Sequence, residues 1–126
     1  IPVFSVDYRL SPQYQFPAAV NDCWQAYHWL LEEGEKQLGF KINHLILAGD
    51  SAGGNLCSVL TLLCIKRKYK LPLALCMSYP APYVGEEKFV PSVLLSLDDI
   101  LLPTKFLHSC LKSYQGDLPK THPRKA

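Results

Sequence analysis

The sequence predicts an α/β fold, with parallel strands and flanking helices. Three observations carry this. Short β-prone runs alternate with stretches of helical periodicity. The second such run, His44–Ala48, is nearly all apolar, as in a parallel strand covered on both faces. It passes into Gly49-Asp50-Ser51-Ala52-Gly53-Gly54, a glycine-rich turn that opens a second periodic stretch.

Taken in order, Pro2–Tyr8 (PVFSVDY) is a short β-prone run, and Arg9–Phe16 is a proline-punctuated loop. Pro17 suits the first position of a helix. Val20, Cys23, Trp24, Tyr27, Leu30 and Leu31 then recur at helical spacing and predict one buried face. Gly34 and Gly39 bracket the end of that helix. His44–Ala48 is the second strand. After the glycine turn, Leu56, Val59, Leu60 and Leu63 mark a second helix. Leu71–Tyr79 is a third strand, closed by Pro80 and Pro82. A polar loop leads to a helix from about Pro103 to Tyr114, and the tail from Gly116 is expected to fray. The chain thus divides into residues 1–80, which hold sheet, helices and turn; 81–117, a loop and helix; and a tail at 118–126.

Composition narrows the class. Of 126 residues, 48% are hydrophobic, as in a globular domain. The net charge of +2, from 13 basic and 11 acidic residues, gives no nucleic-acid footprint. The run Lys66-Arg67-Lys68-Tyr69-Lys70 follows the second helix, where cations suit the negative end of the helix dipole. Five cysteines, Cys23, Cys57, Cys64, Cys76 and Cys110, form no CxxC pair and read as small buried hydrophobes in a reducing compartment. The longest mostly apolar stretch, Leu56–Ile65, is about half of what a bilayer span needs. The opening at Ile1, directly on a strand-like run, leads us to expect an excerpt of a longer protein.

Gly49-x-Ser51-x-Gly53 has the spacing of a nucleophile elbow and lies between a strand and a helix, as that motif requires. The bare pattern arises by chance in about one chain in 25 of this length, so its context carries the inference. A serine ending a strand and starting a helix is forced into a strained backbone. The residues two before and two after it then approach each other, and both are expected to be small. The helix N-terminus favours developing negative charge, and the Ala52 N–H becomes an oxyanion donor. The turn lacks the lysine of a P-loop and the glycine spacing of a dinucleotide site.

The stretches "VDYRLSPQYQFPAAVNDCWQAYHWL" and "LAGDSAGGNL" resemble the hormone-sensitive-lipase branch of the α/β-hydrolases. The branch reads close to D-Y-x-L-A-P-E, F-P-A-A, D and W, followed by G-D-S-A-G-G-N-L. Here Ser11-Pro12-Gln13 replaces the usual Ala-Pro-Glu. "LLSLDDILLPTKFLHSCLKSYQGD" is more similar to the lipases of that branch than to its short microbial esterases. The resemblance extends to about Asp117. It implies a partial α/β-hydrolase fold with the elbow between the second strand and second helix. It makes Ser51 the acyl-accepting nucleophile and Ala52, with Gly53, the backbone oxyanion donors. Gly49, Asp50, Gly53 and Gly54 shape the turn, and Tyr8 and Pro12 are structural. The implied substrates are apolar carboxylic esters such as acylglycerols and cholesteryl esters. The implied setting is the cytosol in lipid catabolism, with a lipid-droplet or membrane surface as an implied partner and no metal or organic cofactor. Two alternatives remain on the same fold. One is a non-catalytic ligand-binding module, as in plant gibberellin receptors, and the other is a small-ester carboxylesterase or deacetylase.

The helpers of Ser51 are the gap in this reading. In this fold the acid and then the histidine follow the serine. The acids after Ser51 are Glu86, Glu87, Asp98, Asp99 and Asp117, and the histidines are His108 and His122. Glu86 and Glu87 read as loop charges, Asp98 and Asp99 as a helix-capping region, His108 as a helical residue and His122 as part of the tail. The expectation is therefore an incomplete triad. The branch's His-Gly-Gly-Gly loop is also absent before Tyr8. In the branch, a further strand lies between the first two found here, so this chain alone is expected to leave apolar edges open and to be marginally stable.

Overall fold

In the computed structural model, residues 1–81 and 100–116 are described. They fall into two compact units, one built from Ile1–Arg9 with Pro17–Tyr83, the other from Leu10–Phe16 with Val84–Ala126.

In the first unit, α1 spans Ala18–Glu32 behind Pro17, which caps the helix rather than starting it. Its buried residues are Ala19, Val20, Tyr27 and Leu30, with Cys23, Trp24 and Leu31 half-buried, so the predicted face is the observed one. Between Gly34 and Gly39, expected to bracket the end of this helix, the chain forms a short second one, α2 (Gly34–Leu38). That helix stops at Gly39, whose φ of 75° closes it with a left-handed turn. Strand β1 (Ile46–Asp50) follows, then α3 (Ala52–Arg67) and β2 (Ala74–Ser78). The two strands pair in parallel, Ile46 opposite Ala74 and Asp50 opposite Ser78. Helix α3 crosses between them and packs on β1, β2 and α1. Its buried side, Leu56, Cys57, Leu60 and Cys64, meets Tyr27 in a core flanked by Trp24, Leu31, Leu45, Leu47 and Tyr69.

Pro2–Tyr8, expected as a strand, carries no regular secondary structure. The sheet of the described residues has two strands, not three. A strand exists only through a neighbour's backbone, and no described strand pairs with this segment. A groove of about 860 Å³, lined by Phe4, Val6, Ile46, Ala48, Leu56 and Leu60 among others, separates it from β1. The segment is tethered at its far end instead. The backbone N–H and the guanidinium of Arg9 both donate to the Asp22 carboxylate on α1, the closest contact being 2.7 Å.

The cysteines divide by environment. Cys57 and Cys64 are buried and Cys23 is half-buried, as expected, but Cys76 and Cys110 are exposed. Burial pushes the Cys23 thiol up to about 11 and raises those of Cys57 and Cys64. Lys66 and Arg67 occupy the last turn of α3, in keeping with the dipole reading. No helix of the described residues is long and apolar enough to cross a membrane.

In the second unit, α4 spans Thr104–Gln115, close to its predicted bounds. The Phe16 N–H donates to the Tyr114 carbonyl at 2.9 Å, and the two rings meet edge to face with centroids 6.0 Å apart. His108 lies on the exposed side of this helix. Glu86, Glu87, Asp98, Asp99, Asp117, His122 and the tail lie outside the described residues.

Candidate active site

Ser51 stands where β1 ends and α3 begins, at φ 48° and ψ −113°. Positive φ is uncommon for a residue with a Cβ, and holding it costs on the order of 1–3 kcal/mol. The surrounding backbone supplies the restraint. The Ser51 N–H donates to the Ser78 carbonyl at 3.0 Å, which ties the turn to the last residue of β2. The Ser51 carbonyl accepts from the Asn55 N–H at 3.1 Å and the Ala81 N–H at 3.2 Å. Both backbone polar groups are thus engaged, while the residue itself is exposed.

The glycines do unequal work. A Cβ at Gly49 would lie 2.5 Å from the Gly53 carbonyl carbon, 2.6 Å from its oxygen and 2.9 Å from the Gly54 nitrogen. These are backbone atoms that cannot step aside, so position 49 admits only glycine. Gly53, which the sequence also predicts must be small, meets nothing within 4 Å at its Cβ position. It is the Gly53 main chain, not a missing side chain, that crowds position 49. The second steric demand falls on Gly54, whose Cβ would stand 2.8 Å from Pro80 Cβ and 3.1 Å from its Cα. The following glycine therefore seats the loop after β2.

Ala52, Gly53 and Gly54 form the first turn of α3, where N–H groups have no partner within the helix. With the helix dipole they present partial positive charge beside Ser51. Asp50, opposite Ser78 in the sheet, is exposed. Ser51, Ala52, Gly49, Asp50, Gly53 and Gly54 are brought together by one strand-to-helix joint. The sequence reading assigned no role to Asn55 or Pro80. The Asn55 side chain donates to the Ala81 carbonyl at 2.7 Å. A polar residue beside the apolar, buried positions Leu56, Cys57 and Leu60 was the available signal for it. Among the described residues, no group of three or more His, Cys, Asp or Glu side chains is placed to hold a metal ion.

The sequence profile of the alpha/beta hydrolase fold matches residues 1–126. The chain belongs to the alpha/beta hydrolase fold family. This alpha/beta hydrolase chain is 38% identical over 122 residues to hormone-sensitive lipase of Mus musculus, a match covering 97% of the chain and 16% of that protein. It is 31% identical over 121 residues to esterase LipI of Mycobacterium tuberculosis, covering 96% of the chain and 37% of the relative. Among solved structures, carboxyl esterase 2 of the fungus Tuber melanosporum superposes with a TM-score of 0.80 at 35% identity. That match covers 88% of the chain and 36% of the fungal one. The alpha/beta hydrolase chain thus spans well under half the length of each of these relatives.

Proposed function

We propose that this segment carries the nucleophile of a carboxylic-ester hydrolase, and that Ser51 is that nucleophile. One observation carries the reading: an exposed serine held at φ 48° between a parallel strand and the N-terminus of a 16-residue helix. The relatives named above as lipase and esterases support the same class.

A serine hydroxyl is a weak nucleophile until a base removes its proton. In the proposed reaction a base takes the proton from Ser51 Oγ as the oxygen attacks the ester carbonyl carbon. The carbonyl π electrons move to oxygen, and the Ala52 N–H at the positive end of α3 stabilises that oxyanion. The C–O bond to the alcohol breaks, and the alcohol leaves with the proton held by the base. Water, deprotonated by the same base, then attacks the acyl-serine and releases the acid. The base and its orienting acid are assigned to no described residue. His28 and His44 precede the serine, and His108 lies on α4 in the second unit. The substrate class proposed is an apolar carboxylic ester, and no step requires a metal or organic cofactor.

The test is labelling by a fluorophosphonate probe in the full natural chain, with Ser51→Ala beside it. Labelling that disappears in the variant supports the reading. Labelling retained by Ser51→Ala assigns the nucleophile elsewhere. The 126-residue chain alone is expected not to label, because no described residue is assigned as the activating base.

A further inference from the structure

The polar side chain nearest in sequence to the Ser51 turn on α3 has no place in the mechanism above. Asn55 is 7% exposed, one helical turn beyond Ser51, on a helix side otherwise made of Leu56, Cys57, Leu60 and Cys64. Burying an amide there costs free energy unless it is hydrogen-bonded. A buried amide therefore answers a demand other than apolar packing.

That demand is visible in the bonds. The Asn55 N–H donates to the Ser51 carbonyl, the Asn55 Nδ2 donates to the Ala81 carbonyl at 2.7 Å, and the Ala81 N–H donates back to the Ser51 carbonyl. Three residues, 51, 55 and 81, close a ring. The ring joins the strained serine, the first turn of its helix and the segment leaving β2. Two of its three bonds are ordinary backbone contacts. The third is a side-chain bond across 26 residues of sequence, and it holds the Ala81 peptide where its N–H reaches Ser51. Pro80, seated against Gly54, fixes the same segment from the other side.

We propose that Asn55 is a positioning residue for Ser51, acting through the Ala81 peptide to hold the serine at positive φ. The proposal rests on the reading of Ser51 as nucleophile. Without the amide, the Ala81 carbonyl loses its donor and the Ala81 N–H its restraint. Ser51 then relaxes toward an ordinary conformation, and Oγ moves off the line of attack. Asn55 is buried and acts through Ala81, so its loss is expected to fall on the chemical step rather than on binding.

The experiment uses the full natural chain and compares Asn55→Leu and Asn55→Asp with the parent. Fluorophosphonate labelling is referred to the folded fraction measured at each pH. Asn55→Leu, nearly isosteric but unable to donate, is expected to label about 10- to 100-fold more slowly, the penalty of a displaced reacting group. In ester turnover the same loss is expected in kcat, with KM unchanged. Asn55→Asp separates positioning from packing. Its carboxylate only accepts when ionised and faces the Ala81 carbonyl without a proton to donate, but when protonated it donates as the amide does. The ratio of its labelling rate to the parent's should therefore rise toward one as pH falls from 8 to 5. Asn55→Leu labelling at the parent rate, or an Asn55→Asp ratio flat with pH, overturns the proposal. Should Asn55→Leu fail to fold, the Asn55→Asp ratio decides alone. Ser51→Ala distinguishes the two failures, since retained labelling there sinks the nucleophile reading whatever the Asn55 variants do.

Discussion

The main chain of Gly53 passes so close to Gly49 that a methyl group on Gly49 would lie 2.6 Å from the Gly53 carbonyl oxygen. The converse does not hold, because a methyl group on Gly53 would meet nothing within 4 Å. The two glycines of the Ser51 motif are therefore spatial neighbours with different reasons for being glycine.

This asymmetry predicts opposite outcomes for one substitution. Gly49→Ala forces the first turn of α3 away from β1. It is expected to destabilise by roughly 2–4 kcal/mol, as strained, overpacked sites do, and to abolish probe labelling. Gly53→Ala adds a methyl to open space in a helix, where alanine is favoured over glycine by about 1 kcal/mol. It is expected to keep or raise the melting temperature. Thermal melts of the two variants beside the parent check both.

The Arg9–Asp22 pair predicts a dependence on acid. The hydrogen bonds from Arg9 hold the Asp22 carboxyl below its ordinary value of 3.8. A carboxylate with a lowered folded pKa contributes stability that is present above the unfolded value and lost as pH falls through the folded one. The melting-temperature difference between the parent and Asp22→Asn should be constant from neutral pH down to mildly acidic conditions. It should then shrink below the ordinary carboxylate range. Added salt should reduce it at neutral pH, because the Arg9 side chain is 48% exposed. A difference that grows as pH falls would contradict the pairing.

The thiols should react in a fixed order. Cys76 and Cys110 are exposed, whereas Cys57 and Cys64 are buried. Cys23 is half-buried with its thiol raised to about 11, so at pH 8 only about one molecule in a thousand carries the thiolate there. Titration of the 126-residue chain at high dilution with a disulfide reagent should show fast modification at the first two. Cys23 should follow slowly and accelerate about tenfold per pH unit from 8 to 10. Modification of Cys57 or Cys64 should wait for unfolding. Peptide mapping after timed quenching assigns each step.

The 126-residue chain by itself should associate rather than melt cooperatively. Ile46 on β1 is 57% exposed, and Val3, Leu71 and Leu73 are more than half exposed in the same unit. A short parallel pair with apolar residues at its open edge is a template for further strand pairing. Sedimentation at micromolar concentration should find oligomers or aggregate. A monomer with a single sharp thermal transition would refute this.

Much of this was legible in the residues. Helices α1 and α3 lie where the apolar periodicity places them, because a helix closes its hydrogen bonds within four residues and its buried stripe is written locally. The turn at Ser51 was equally readable, since a strand, a tight glycine turn and a helix are consecutive in the chain. Membership in the alpha/beta hydrolase fold follows from the same stretch and is borne out by the profile match over residues 1–126. Three features were left to tertiary structure. Pro2–Tyr8 has strand composition but joins no sheet of the described residues, and it lies across a groove from β1. The steric demand on Gly54 depended on where Pro80, some 26 residues further on, comes to rest. The bond from Asn55 to Ala81 crosses a similar distance. Local pattern settles structure whose hydrogen bonds are local; strand pairing, steric necessity and the bracing of a strained serine depend on what distant chain brings alongside.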